Sequence, residues 1–227
     1  MAVGLRELKK QRTRTAIADT AFGLFAERGF DHVTVAEVAE GAGVSEKTVF
    51  NYFPTKEDLF FDEVPARQAA LVEAVRERAA GESVPAALRR LQLAQTERMA
   101  SPGFATFARV IEESPALRAK ELEVMAGFEE VLAEALEEHA RLKPLDARIA
   151  ATLLVGVQWQ FFQIARERAL AGEHGPAAAR RLRRDLSRAY ELVERGLGGL
   201  PSLSGASPRP ARAGRGRPGG RPPSPTR

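Results

Sequence analysis

Lys47, Thr48 and Asn51 fall within about one helical turn of each other in the stretch GVSEKTVFNYFPTKEDLF, residues 43–60. Their chemistry suits base edges in a major groove. Lysine donates to guanine O6 and N7, asparagine pairs with adenine, and the threonine methyl touches thymine. Glu46 can accept from a cytosine amino group, while the helix dipole accounts equally well for a carboxylate in a first helical turn. Tyr52 and Lys56 suit phosphate oxygens, which set register and read no sequence. Taken singly, each of these side chains is an ordinary solvated residue. Together they need a scaffold that presents them on one side.

Capping and turn signals supply that scaffold. A first helix spans about Leu5 to Arg28, with Ile17, Ala21, Leu24 and Phe25 on one face, and Gly29 ends it. Thr34 caps a second helix, and Glu37 three places on completes a capping box. Gly41 and Gly43 in EGAG permit a tight turn. Ser45 caps a third helix that stops at Pro54, and Thr55 caps a fourth, with Asp58 at its capping-box position. Two short capped helices joined through a glycine turn make a helix-turn-helix. Val38, Ala42, Val44 and Val49 fall where those helices pack, and Ala39 is small enough for a close approach. Lys47, Thr48, Asn51 and Tyr52 then lie on the other side. Arg6, Lys9, Lys10, Arg12 and Arg14 precede the apolar face of the first helix, where they suit phosphate.

The rest of the 227-residue chain is also helical in its periodicity, with no sustained strand-like alternation. Prolines open helices at Ser83-Val-Pro85, Ser114-Pro115 and Pro144, and the longest run over about 115–140, 145–171 and 176–197. The predicted architecture is all-α. Residues 1–54 form a helix-turn-helix head, 55–198 a helical ligand-binding and dimerisation body, and 199–227 a tail. The tail is rich in proline, glycine and arginine, too poor in apolar residues to offset chain entropy, and predicted to be disordered. It distorts the overall charge. The chain carries +4, but six arginines and no acid follow Pro201; taking six from +4 leaves residues 1–200 at −2. A nucleic-acid argument therefore rests on where the cations lie.

Several function classes fall away. Without cysteine there is no disulfide, thiolate ligand or cysteine nucleophile. The three histidines (His32, His139, His174) lie far apart, with no HExxH spacing and no phosphate-binding loop. Gly214, Gly216 and Gly219 match GxGxxG but follow no strand and open no helix. No metal, cofactor or enzymatic activity is expected. The charged opening MAVGLRELKKQRTR has no apolar run of signal-peptide length, the apolar run 149–165 is too short for a membrane span, and the absence of cysteine suits a reducing cytoplasm; the chain is expected there, on the nucleoid when DNA-bound, with no membrane partner.

The segment TAFGLFAERGFDHVTVAEVAEGAGVSEKTVFNYFPTKEDLF resembles the N-terminal domain of TetR-family transcriptional regulators over about residues 10–60. The resemblance implies a homodimeric all-α repressor whose body binds a small effector and whose two heads enter adjacent major grooves. By position it assigns DNA contact to Thr34, Ser45, Lys47, Thr48, Asn51, Tyr52 and Lys56. Phe50 stands where the family often has tyrosine, so an apolar packing role is expected of it. Val35 and Ala36 stand where some members place polar base readers.

The partners implied are a palindromic duplex operator, a second copy of the chain and a small-molecule effector. EESPALRAKELEVMAGFEEVLAEAL resembles the second half of actinobacterial members of the family, including those tied to redox-peptide or fatty-acyl metabolism, which implies a large, partly apolar effector. Candidate pocket residues are Phe107, Ile111, Met125, Phe128, Gln158, Trp159 and Phe162. The last two long helices are expected to pair with the partner's as a four-helix bundle through faces that include Ala151, Leu154, Phe162 and Leu186. The other reading is a ligand-free interaction protein that holds DNA nonspecifically.

Overall fold

The computed structural model describes residues 4–197, so the predicted disorder of 199–227 lies outside the described residues. Eleven α-helices and one 3₁₀ turn account for the regular structure there, and the described residues contain no strand. The protein is all-α.

Side-chain caps set most of the boundaries. Helix α1 (Leu5–Arg28) gives way to a 3₁₀ turn at Phe30–His32. Thr34 then caps α2 (Val35–Gly41): its hydroxyl accepts from the Glu37 amide while Glu37 accepts from the Thr34 amide. Ser45 caps α3 (Glu46–Tyr52) by accepting from the Thr48 amide, and Thr55 and Asp58 form a second capping box on α4 (Lys56–Phe60). A typical cap of this kind is worth about 1 kcal/mol. Helices of five to seven residues need it, because they bury too little to hold themselves.

The body continues through α5 (Val64–Arg76), α6 (Val84–Leu93), α7 (Thr96–Met99), α8 (Pro102–Glu113), α9 (Pro115–Ala140), α10 (Pro144–Leu170) and α11 (Pro176–Leu197). Ser83, Ser101 and Ser114 cap α6, α8 and α9, each followed by a proline in the first turn. The break over 61–63 between α4 and α5 carries neither a glycine nor a proline, and sequence reasoning did not locate it.

Two hydrophobic clusters organise these helices. One joins α1–α4 around Ile17, Phe25, Val38, Val49 and Phe53; it takes in Leu59 and Phe60 from α4 and Val110, Ile111 and Leu117 from the body. Helix α4 therefore packs with the head, beyond the expected boundary at residue 54. The other runs through α5, α6 and α8–α11, centred on Leu132, Leu136, Leu154 and Leu186. Phe107 and Phe162 pack against both.

Candidate nucleic-acid interface

Helix α3 is held from behind. Val49 is buried against Val38 and Ala39 of α2, with Ala42 and Val44 of the turn packed alongside. Two glycines make that turn possible. Gly43 has φ 65°, a region costly for other residues, and a Cβ on Gly41 would meet Thr20 Cγ2 of α1 at 2.8 Å.

Fixed on that side, α3 turns Glu46, Lys47, Phe50 and Asn51 to solvent. Lys47 and Asn51 stand one turn apart with polar groups available to a base edge. Thr48 is half-buried and its hydroxyl is hydrogen-bonded to Ser45 Oγ at 2.9 Å, which leaves its methyl as the readable part. Ser45 and Thr34, expected to touch DNA, both act as N-caps. The Thr34 amide and hydroxyl both donate to Glu37, and the Ser45 hydroxyl bonds Thr48, so these groups are engaged within the caps.

Phe50 departs from expectation. Instead of packing inward it is 48% exposed, one residue before Asn51 on the outward face of α3. A phenyl ring in water here costs free energy, and a thymine methyl would cover it. No polar motif could have flagged it; the helical spacing that buries Val49 and Phe53 was the available signal.

Arg14 and Lys56 serve the head's architecture. Arg14 donates from Nη1 to the carbonyl of Tyr52 at 2.9 Å and from Nη2 to the carbonyl of Asp62 at 3.3 Å, with its guanidinium 4.3 Å from the Phe53 ring centre. It thereby satisfies a carbonyl left open at the end of α3. Lys56 donates to the Phe30 carbonyl at 2.6 Å and lies 4.2 Å from that ring's centre. Burial pushes its ammonium pKa down, against the pull of Asp31. Arg14 braces the end of α3, while Lys56 ties α4 to the 3₁₀ turn after α1 and keeps further donors for phosphate. Tyr52 is half-buried at the end of α3, while Arg6, Lys9, Lys10 and Arg12 are exposed along the first turns of α1.

The head is tied to the body at several points. Phe60 stacks on Phe107 with centroids 4.7 Å apart, Ser114 donates to Asp31 at 2.8 Å, and Lys120 lies 3.4 Å from Asp58. Deeper in, Arg166 of α10 binds Glu121 of α9 at 3.1 Å and Gln163 at 2.5 Å, with Glu112 of α8 at 3.8 Å. Burial raises the Glu121 pKa and Arg166 works against it.

The expected pocket and dimer residues sort differently. Phe107, Phe162 and Trp159 form a chain of rings, with centroids 6.2 and 6.4 Å apart, while Ile111 and Phe128 are buried in separate clusters and Met125 and Gln158 are half-buried. Of the seven, only Phe107 lines either of two cavities at the head–body junction. Ala151, Leu154 and Leu186 are buried within their own chain, where a second copy cannot touch them, while Phe162 is half-buried among its own aromatic neighbours. The outward apolar face of α10 consists instead of Leu145, Ile149, Leu153 and Ile164, of which the first is 69% exposed. Helix α11 turns Ala178, Leu182, Leu186 and Tyr190 inward and Arg180, Arg184 and Arg188 outward.

Among the described residues no group of three His, Asp or Glu side chains is placed to hold a metal ion, and no helix is long and apolar enough to cross a membrane.

Residues 17–62, which include α2, α3 and α4, match the family model for bacterial regulatory proteins of the tetR family. The regulator TcmR of Streptomyces glaucescens is 31% identical over 127 residues, covering 52% of this chain and 56% of that protein. The "Putative mycofactocin biosynthesis transcriptional regulator MftR" of Mycobacterium tuberculosis is 28% identical over 149 residues, covering 61% of this chain and 71% of that protein. The chain thus spans little more than half the length of the first of these relatives. A solved TetR-family regulator of Streptomyces coelicolor A3 superposes with a TM-score of 0.51 at 26% identity, covering 80% of this chain and 96% of that one. Residues 17–62 thus match a TetR-family DNA-binding domain, carried on an all-helical body whose fold is that of a solved TetR-family regulator.

Proposed function

We propose that this protein is a homodimeric repressor that binds a near-palindromic operator and leaves it when a small effector binds. The outward face of α3 carries the reading: Lys47, Phe50 and Asn51 are exposed together on a helix whose other side is locked by Val49. Lys47 reads guanine, Asn51 reads adenine, Phe50 covers a thymine methyl, and Thr34, Ser45, Tyr52 and Lys56 set register on phosphate. The division proposed is a head ending near the α4–α5 break and a body from there to the end of α11.

The second copy docks on α10. Its stripe of Leu145, Ile149, Leu153 and Ile164 would stand in water in a monomer, and the arginines of α11 suit the border of such an interface better than its centre. Two heads then read half-sites about 34–36 Å or a multiple of that apart. An effector that fits the body better at another head spacing shifts the population away from the DNA-bound form; differential affinity is sufficient. A regulator of this kind works in the cytoplasm, on the nucleoid when bound, and catalyses nothing.

Selection of bound duplexes from a random pool tests the reading. A symmetric enriched motif is expected, and Lys47→Ala should relax preference at one position of it. Recovery of duplexes with no common motif would instead favour the nonspecific interaction protein.

A further inference from the structure

A cavity of about 340 Å³ opens between head and body, walled by α1 and α4 on one side, α5 and α8 on the other, and the turn that joins α4 to α5. That is enough for a small organic ligand. Its apolar wall is phenylalanine: Phe22, Phe60, Phe61, Phe104 and Phe107 form a connected set, with centroids from 4.7 to 6.1 Å apart.

The charged groups around it are unbalanced. Three carboxylates, Asp19, Asp62 and Glu63, face two guanidiniums, Arg67 and Arg98. Both arginines are held by Glu63, at 2.9 and 2.5 Å. Asp19 and Asp62 enter no ion pair among the described residues. Arg14, whose charge reaches Asp62, gives its Nη1 and Nη2 donors to backbone carbonyls. Burial raises the Asp62 pKa, with Glu63 adding to the effect. Half-withdrawn from water beside aromatic rings, the Asp62 carboxylate feels Arg14's charge from behind the lining but has no ion-pair partner within the cavity.

We propose that this junction cavity binds lipophilic cations, molecules in which a positive charge is flanked by aromatic or alkyl groups. The rings attract a cation through their faces, and Asp19 and Asp62 supply the charge. A neutral apolar guest would further desolvate Asp62 without pairing it, and an anion would meet a lining with one carboxylate in excess. Because the walls come from both head and body, an occupied cavity fixes the angle between them. Any effect on operator release rests on the proposed ligand-controlled repression, whereas the binding itself does not.

The test is calorimetric titration of the full chain with tetraphenylphosphonium and with tetraphenylborate, which has nearly the same shape and the opposite charge. One phosphonium per chain should bind, at least tenfold more tightly than the borate. Asp19→Asn with Asp62→Asn should weaken the phosphonium at least tenfold at unchanged melting temperature; Asp19→Asn alone, at an exposed site, should weaken it severalfold and serves if the double variant misfolds. Equal binding of both ions would reduce the cavity to a greasy cleft and overturn the proposal. Tighter borate binding would make it an anion site at Arg67 and Arg98, and unchanged affinity in the variants would also overturn it. A phosphonium that binds as expected and leaves operator affinity unchanged would uphold the site and count against its role in release.

Discussion

Helix α3 is seven residues long and helix α10 twenty-seven, yet each carries exposed apolar surface on its outward side: Phe50 on one, and Leu145, Ile149 and Leu153 on the other. The short helix is fixed by its surroundings, through a serine cap, a buried valine and Arg14 at its far end. Its outward residues differ in kind, a cation, an amide and a ring, as a surface must if it is to tell four bases apart. The long helix carries its own inner face of Ala151, Leu154, Val155 and Phe161, and its outward stripe repeats one aliphatic chemistry. Mixed groups on a rigid short element suit reading. Uniform groups along a long one suit the burial of area.

That contrast breaks most sharply at two adjacent residues of α10. Leu153 is 47% exposed and Leu154 is buried. Leu153→Glu should drive the protein to monomer in sedimentation and weaken operator binding by roughly 100-fold or more, because an unpaired charge in an apolar interface costs several kcal/mol. A dimer of unchanged affinity would remove α10 from the interface. Leu154→Ala should leave assembly intact and lower unfolding stability by about 2–5 kcal/mol, the usual cost of a large-to-small change in a core. If the two variants exchanged phenotypes, the face assigned to the partner would be the wrong one.

On α3 the expected losses are smaller and specific to sequence. Lys47→Ala or Asn51→Ala should cost about 1–3 kcal/mol against the selected duplex and relax preference at a single position. Equal loss on every duplex would make either residue a phosphate contact. Phe50→Ala should cost less and fall on a thymine step. An unchanged preference there would leave the exposed ring unexplained by DNA.

The head was legible in the sequence because its rules are local. Thr34 with Glu37, Thr55 with Asp58, Ser45 before α3 and glycines at the turn each act within three or four residues, and the structure forms both capping boxes as spaced. The long helices were legible for the same reason: serine, proline and glycine mark their ends. What depends on rotation about a helix axis was not. Ala151 and Leu154 alternate with Thr152 and Leu153 in an apolar run that is compatible with either face being inner, and only packing against α9 decides it. Arg14 and Lys56 escaped for a related reason. A basic residue near a DNA-binding motif suggests phosphate, while its carbonyl partners, Tyr52 and Phe30, lie 38 and 26 residues away. The charge excess at the junction cavity draws on α1, α5, α7 and the α4–α5 turn, and no single stretch of sequence displays it.

The smallest expected effect sets one carboxylate of the head against one of the body by the sign of its pH dependence. Glu37 of the α2 cap is held at about 2, from an ordinary 4.5, chiefly by the backbone amide of Thr34 and then by Arg28 at 2.8 Å. A carboxylate depressed by folding stabilises the fold above its unfolded pKa, and that contribution is lost as pH falls from about 4.5 toward 2. Glu121, between α9 and α10, is shifted upward by burial. Its linkage runs the other way: the contribution is full in acid and is lost as pH rises through the raised folded value. Acidification should therefore loosen the head through Glu37 while Glu121 favours the body. The amide resonance of Thr34 reports on the former, and the fluorescence of Trp159, the chain's single tryptophan, on the latter. Glu37→Gln should flatten the head's acid loss below pH 4.5 without altering the Trp159 melt, and Glu121→Gln should remove the opposing gain in the body. A Glu37→Gln protein whose head still loosened in acid as steeply as the wild type would show that the Thr34 cap does not govern that transition.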